Sequence, residues 1–433
     1  MTQFRPKDLH QATEIISRAC RTALQVRRRL PANRRVEMTK THRKANSGAE
    51  DAFHRHYAAI WGEERWNKSL YPALLQPTRY ACVLNRHTPL PLSSERIQDD
   101  NVETRVLSLP YYNDDMVPNC FVRYEKPTPG ENVSTSVPSD VPFPPPEPSI
   151  NKLLSHWNLD AASVLVASFL NVQPGNNVLD LCAAPGGKSV ALSQRLWPHF
   201  HQDPSELKQK TFQKVSSRTG SLHSNEFDGP RQKRLAENLK LYMPKSCVDS
   251  GQVKVLRVDA SKPNADYEFR VRTASGTVGY DRVLVDAPCS SERHIIHAQA
   301  KAAAAGKVAD DMANWRPGSS KRLASTQIEL LMTGLKAANV GATVVYATCS
   351  IEPTENDNVV EKVLTQVEKE RKKGAKWNFK VGLNAANGNA VLEAELERLW
   401  AEKTKYGWIV LPDHPSGERW GPLFFAVLTK GSD

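Results

Sequence analysis

The sequence has no Cys-x-x-Cys pair. Its seven cysteines (Cys20, Cys82, Cys120, Cys182, Cys247, Cys289 and Cys349) are odd in number and scattered. The scatter argues against a disulfide framework and a structural zinc module, and it points to a reducing compartment. Apolar runs of the roughly 18–20 residues needed to cross a bilayer are missing too, so neither a transmembrane helix nor a membrane partner is expected. No internal repeat is evident. What remains is a chain of 433 residues with 40% hydrophobic and 24% charged content. That is ordinary for a soluble globular protein, and long enough for two or three domains with ample buried core.

Positive charge is also scarce over most of the chain. Residues 1–45 carry +9 of the formal net +11, from twelve Lys and Arg against three acids, which leaves +2 for the rest. Any nucleic-acid surface in the body must then be a local patch. Leu9, Ala12, Ile16, Ala19 and Ala23 recur three or four apart among arginines, a basic amphipathic helix pattern. Residues 1–45 read as a mitochondrial presequence, or as a solvated basic arm that touches RNA or acts as a nuclear signal. The matrix is the expected location, with nucleus, nucleolus or cytoplasm as the alternatives.

Residues 46–125 read as a helical extension, with Phe53, Tyr57, Ile60 and Trp61 at helical spacing before Trp66, Leu70, Leu74, Leu75 and Tyr80. Residues 126–150 hold eight prolines among Ser, Thr and Gly, which predicts an extended linker. Over 151–433 the pattern changes. Short β-branched or apolar runs at 177–181, 253–258, 282–285 and 343–346 alternate with helical stretches at 189–196, 231–241 and 325–338. This predicts an α/β domain with a mainly parallel sheet and helices on both faces, closed by a last strand over 421–428. Ligands of such sheets bind beyond the carboxyl ends of the strands. Residues 201–221 and 262–280 read as polar surface insertions.

Three turns follow strands of that sheet. The first, Cys182-Ala183-Ala184-Pro185-Gly186-Gly187-Lys188, leads into a helix. Its small residues let a ligand approach the backbone, and the helix N-terminus favours negative charge. It is not a P-loop, because Cys182 stands where that motif needs its first Gly. Glu226, just before Arg231 opens a helix, is placed to take two ribose hydroxyls, while Asp228 suits a helix cap better. Asp259 after the third strand is placed to accept from an adenine amino group, or is a turn aspartate. The other two turns, Asp286-Ala287-Pro288-Cys289 and Thr348-Cys349-Ser350, each carry a thiol. Two thiols at two strand ends suit covalent chemistry, one as nucleophile and the other helping to undo the adduct. A metal site of Cys289, His294, His297 and Cys349 can be drawn, but no spacing demands it, and no metal is expected.

The set Asp-Leu-Cys-Ala-Ala-Pro-Gly-Gly-Lys-Ser (180–189), Asp-Ala-Pro-Cys-Ser (286–290) and Ala-Thr-Cys-Ser (347–350) resembles the Sun-type family of RNA cytosine-5 methyltransferases over roughly 150–430. Phe53, Tyr57, Gly62 and Trp66, Glu-Arg-His (292–294) and Gly-Pro-Leu-Phe-Phe (421–425) are similar to its mitochondrial branch, which methylates ribosomal RNA. Glu226 departs from the family's usual Asp, and the insertions and Pro-rich linker are unusual.

The resemblance implies a class I S-adenosylmethionine-dependent methyltransferase fold, Rossmann-like, acting on RNA. Carbon 5 of cytosine is a poor nucleophile until a thiolate adds at carbon 6. By resemblance Cys349 is that nucleophile, Cys289 assists release, Asp286 faces the ring's N3, and Lys188 lines the same pocket and favours thiolate. The cofactor residues implied are Cys182, Ala183, Ala184, Pro185, Gly186, Gly187, Lys188, Glu226, Arg231, Asp259 and Asp286. DNA enzymes with a Pro-Cys turn attack through that cysteine and need no second thiol, so the pair favours RNA. Trp315 and Arg316, where the family has substrate-side elements, read as RNA contacts or as core. Mitochondrial small-subunit ribosomal RNA is the expected substrate. Transfer RNA or cytosolic ribosomal RNA, and a ribosome-assembly role with methylation secondary, are the alternatives. A helical-repeat partner of the transcription-termination-factor family is implied, with the chain monomeric by itself.

Overall fold

Along three neighbouring strands, successive side chains alternate between two cores. Val283, Val285, Val344, Tyr346, Phe424 and Ala426 enter one, while Leu284, Val345, Ala347, Phe425 and Val427 enter the other. Both sets are buried, which is the pattern of a sheet covered on both faces. The computed structural model describes residues 40–88, 102–111, 119–125, 141–198, 219–273, 276–383 and 389–432. The chain divides at Gly48, and Ala49–Asp433 forms one unit. Most of the expected presequence, the linker to residue 140 and the insertion to residue 218 lie outside the described residues.

Four strands come before the main sheet. They are β1 (Tyr80–Leu84), β2 (Val102–Val106), β3 (Cys120–Glu125) and β4 (His156–Asp160), and they form an antiparallel sheet in the order β2-β3-β1-β4. This corrects the reading of 46–125 as helical. Helix occupies Lys40–Trp61 and most of 63–75, and strands follow. Pairing of β1 with β4 also joins 46–125 to the domain expected to begin at 151, so the boundary is not one in space. Cys82 and Val83 are buried in that sheet, so a run that looked like a continuation of the helix serves as its inner strand.

The main sheet contains β5 (Asn177–Asp180), β6 (Ser221–Asn225), β7 (Val253–Leu256), β10 (Tyr280–Asp286) and β11 (Ala338–Thr348) in parallel, in the order β11-β10-β5-β6-β7. Beyond β11 it turns antiparallel, through β15 (Leu423–Ser432), β14 (Trp408–Val410) and β13 (Glu402–Lys403), and β12 (Trp377–Val381) also pairs with β15. Strand β6, Ser-Leu-His-Ser-Asn, is fully buried although polar. Its polar groups find partners inside. Ser221 Oγ donates to Asn177 at 2.8 Å, His223 Nδ1 lies 2.7 Å from the Tyr280 hydroxyl, and Ser224 Oγ lies 2.9 Å from Ser189 Oγ.

The stretch 262–280 is not merely a surface insertion. It forms the hairpin of β8 (Val271–Thr273) and β9 (Gly276–Val278), and it buries Ala265, Phe269 and Val271. Phe53, Tyr57, Trp66, Leu70 and Leu74 of the N-terminal helices enter the same core as Val283 and Val344. Trp315 lies there too, 7% exposed, with its ring 5.1 Å from Phe53 and 5.4 Å from His56. It is a core tryptophan that also lines the cleft beside Cys289.

Candidate active site

Five turns lie at the carboxyl edge of the parallel strands. Strand β5 ends at Asp180, the glycine turn follows, and the helix Gly187–Leu196 begins. Gly186 has φ +114°, and a Cβ on Gly187 would lie 2.8 Å from both Leu159 and Trp157. The turn therefore needs glycine for packing against its own protein as well as for open backbone. It is tied down from the next helix, Gly229–Tyr242. Arg231 donates to Ala184 O at 3.2 Å, Asn238 to Pro185 O at 2.8 Å, and Ala183 N donates to Asn225 O at 2.8 Å. Burial pushes the Cys182 thiol well up, with the carboxylates of Asp180 and Asp286 adding to it. That is an inert, protonated thiol.

Glu226 stands just past β6, where it pairs with Arg231 at 3.2 Å and accepts from Asp228 N at 2.9 Å. Asp228 caps the helix through Arg231 N at 3.0 Å, as expected of it. Asp259 follows β7, and its Oδ1 accepts from Ser261 N and Oγ at 3.2 and 2.6 Å. One of its oxygens thus braces its own turn.

Lys188 Nζ lies 2.8 Å from Asp286 Oδ2, across the gap between the glycine turn and β10. Burial of Lys188 opposes its charge, yet the Asp286 carboxylate outweighs that and holds the ammonium above its ordinary value. Sequence reasoning missed Asp180. Burial raises its carboxyl to about 7, Ser189 donates to one oxygen, and the other is buried with no hydrogen-bond partner.

The two cysteine turns come together. Cys289 Sγ and Cys349 Sγ are 3.1 Å apart, and the Ser291 hydroxyl lies 3.1 Å from Cys349 Sγ and 3.5 Å from Cys289 Sγ. Ser291 has φ +54°, an uncommon backbone for serine, which turns its hydroxyl to the sulfurs. The hydrogen bond from Cys289, opposed by burial and helped by Ser291, lowers the Cys349 thiol, while that same bond and burial drive Cys289 well up. One thiol is thus the acid and the other keeps the proton, a division suited to nucleophile and helper. His297 Nε2 donates to the Leu74 and Gln76 carbonyls, and His294 lies 3.9 Å from Asp311, so neither is turned to the sulfurs. A cleft of about 440 Å³ opens beside Cys289, lined among others by His56, Ser291, His294 and Arg316.

The profile of 16S rRNA methyltransferase RsmB/F matches residues 208–414. Over that segment the chain is similar to the RsmB/F family of RNA cytosine-5 methyltransferases. Among its relatives, the mitochondrial tRNA (cytosine(34)-C(5))-methyltransferase of Mus musculus is 28% identical over 386 residues, 88% of this chain and 90% of that one. The 5-cytosine rRNA methyltransferase NSUN4 of Bos taurus is 33% identical over 222 residues, 51% of this chain and 47% of that one. Structures of the same fold include NSun6 from Pyrococcus horikoshii with SFG, at TM-score 0.53 and 15% identity over 88% of this chain and 98% of that one. A methyltransferase homologue from the same organism gives TM-score 0.52 at 18% identity, over 90% of this chain and 99% of that one. The α/β sheet is therefore a class I methyltransferase fold. The family's cofactor is S-adenosylmethionine, and the residues at this edge fit it. The glycine turn, Glu226 and Asp259 follow β5, β6 and β7 in succession, and the unpartnered oxygen of Asp180 lies at the same edge.

Proposed function

We propose that this protein methylates carbon 5 of a cytosine in mitochondrial small-subunit ribosomal RNA through a covalent adduct on Cys349. The observation that carries the chemistry is the thiol pair, 3.1 Å apart with opposite acidities, beside the Lys188–Asp286 ion pair. The target base leaves its stack to enter the site. Asp286 and Lys188 face the ring's N3, and a proton passed to N3 through that pair neutralises the charge that addition places on the ring and leaves N3 again on release. The Cys349 thiolate bonds to carbon 6, which makes carbon 5 nucleophilic. S-adenosylmethionine supplies the methyl group. The proton on carbon 5 then departs to a base, the S–C6 bond breaks, and Cys289 assists release. On the cofactor side, Glu226, positioned by Arg231, takes the ribose hydroxyls. Asp259 takes the adenine amino group, and the turn from Cys182 to Lys188 forms the floor.

Glu-Arg-His (292–294) and Gly-Pro-Leu-Phe-Phe (421–425) favour the ribosomal reading. A second reading, transfer RNA, is favoured by the long alignment with the mouse enzyme. Mitochondrial relatives and the basic first 45 residues support a presequence and the matrix; a helical-repeat partner for a chain monomeric by itself rests on the sequence resemblance alone. The test is methyl transfer from labelled S-adenosylmethionine to the two RNA classes, with and without Cys349→Ala. Labelling of ribosomal RNA that the variant loses is the expected result, and labelling of transfer RNA alone replaces the substrate. A Cys349→Ala protein that folds, binds and fully restores ribosome assembly in cells would favour the assembly role.

A further inference from the structure

Strands β10 and β11 stay in register only to the pair Asp286 and Ala347, so both cysteines lie past the end of the ladder. Sheet hydrogen bonds therefore do not fix the distance between the sulfurs. We propose that Glu292 does, as a positioning residue that clamps the two cysteine turns together; this rests on the proposed roles of Cys289 and Cys349. Glu292 is fully buried, at the start of the helix Glu292–Ala303. Its carboxylate accepts from the hydroxyls of Ser290 and Ser350, the residues directly after Cys289 and Cys349. The two hydroxyl oxygens are 2.9 Å apart. Ile351 N donates to the other carboxylate oxygen at 3.1 Å, and the Tyr57 hydroxyl donates to the oxygen that takes the serines, at 2.8 Å. One carboxylate thus receives four donors, two of them from one cysteine turn and one from the other.

A buried carboxylate is costly unless its lone pairs are met, so four donors are an arrangement that persists only as a unit. Each turn is also braced separately. Glu355 accepts from Ser290 N at 3.1 Å and from Gln327 at 2.8 Å, and Asn356 donates to Ser350 O at 2.9 Å. Glu292 is the carboxylate that reaches both turns, and it holds together the Ser290 and Ser350 hydroxyls that also touch each other. Tyr57 makes the clamp depend on the N-terminal helix Lys40–Trp61, which gives that helix a part in catalysis that its core packing alone would not require.

The test uses the full chain with Glu292→Ala, Glu292→Gln and Ser350→Ala. Phenylarsine oxide reads the thiol spacing without RNA, since its arsenic forms two As–S bonds with a close dithiol and releases water. The pH dependence of Cys349 alkylation by iodoacetamide reads the thiol contact. With the clamp, Glu292→Ala loses arsenical capture, moves Cys349 alkylation to higher pH, and lowers kcat by about a hundredfold with KM little changed. Glu292→Gln, which keeps an accepting oxygen, restores part of each, and Ser350→Ala gives a milder form of the same loss. Should Glu292→Ala fail to fold, Ser350→Ala carries the test. Folded variants that capture the arsenical and alkylate as the parent does overturn the clamp. A parent that captures the arsenical yet methylates no RNA would instead defeat the proposed reaction and leave the clamp standing.

Discussion

Cys289 Sγ sits 3.1 Å from Cys349 Sγ, and the hydrogen bond between them lowers one thiol while raising the other. A single proton between two sulfurs gives a nucleophile more acidic than an ordinary thiol and a second thiol that holds its proton.

Alkylation follows from this division. Thiolate forms as pH rises through a thiol's pKa, so Cys349, with its value lowered, reacts at a pH where an ordinary thiol is still protonated. Cys289 reacts only well above it. Mass spectrometry after limited iodoacetamide should find the label on Cys349 first. Cys289→Ala removes the donor and should move the Cys349 profile to higher pH. An unchanged profile would show that the sulfur contact is not what acidifies Cys349.

The two cysteines should fail differently. Cys349→Ser removes the attacking thiol and should cut methyl transfer by about a thousandfold or more. Cys289→Ala leaves attack in place and slows release, so RNA should remain bound to the protein through denaturing electrophoresis. Adduct with Cys349→Ser and none with Cys289→Ala would reverse the two roles.

Lys188→Met leaves Asp286 half-buried without its ion-pair partner. The expected cost is about 1–3 kcal/mol of stability, read in denaturant melts, with a larger loss in kcat than in KM for RNA. Asp286→Asn should lower kcat similarly while costing less stability.

Glu226→Ala removes the proposed ribose contact and frees Arg231. The KM for S-adenosylmethionine should rise about 10–100-fold with little change in kcat. Equilibrium binding of the cofactor checks this without RNA.

Much of this site could be read in the chain because its signals are local. The runs 282–285 and 343–346 are apolar on both faces, so β10 and β11 and the cysteine turns after them are visible from composition. Strand β6 escapes the same reading, because Ser221, His223, Ser224 and Asn225 hide their polarity in partners that only the fold supplies. The strands Tyr80–Leu84, Val102–Val106 and Cys120–Glu125 were masked by a helical pattern that ends at Leu75. Glu292 was visible only as part of a motif. Its work depends on Ser350, 58 residues away, and on Tyr57, 235 residues away, and no spacing along the chain announces such contacts. Trp315 reads in the chain equally as an RNA contact or as core, and the aromatic cluster with Phe53 and His56 places it in the core.

The most direct test of the account is bisulfite sequencing of total RNA, mitochondrial transcripts included, from cells with the protein, without it, and with Cys349→Ser in its place. The account predicts that one cytosine of mitochondrial small-subunit ribosomal RNA loses its 5-methyl signal in both the deletion and the variant. Retention of every 5-methylcytosine in both would contradict it.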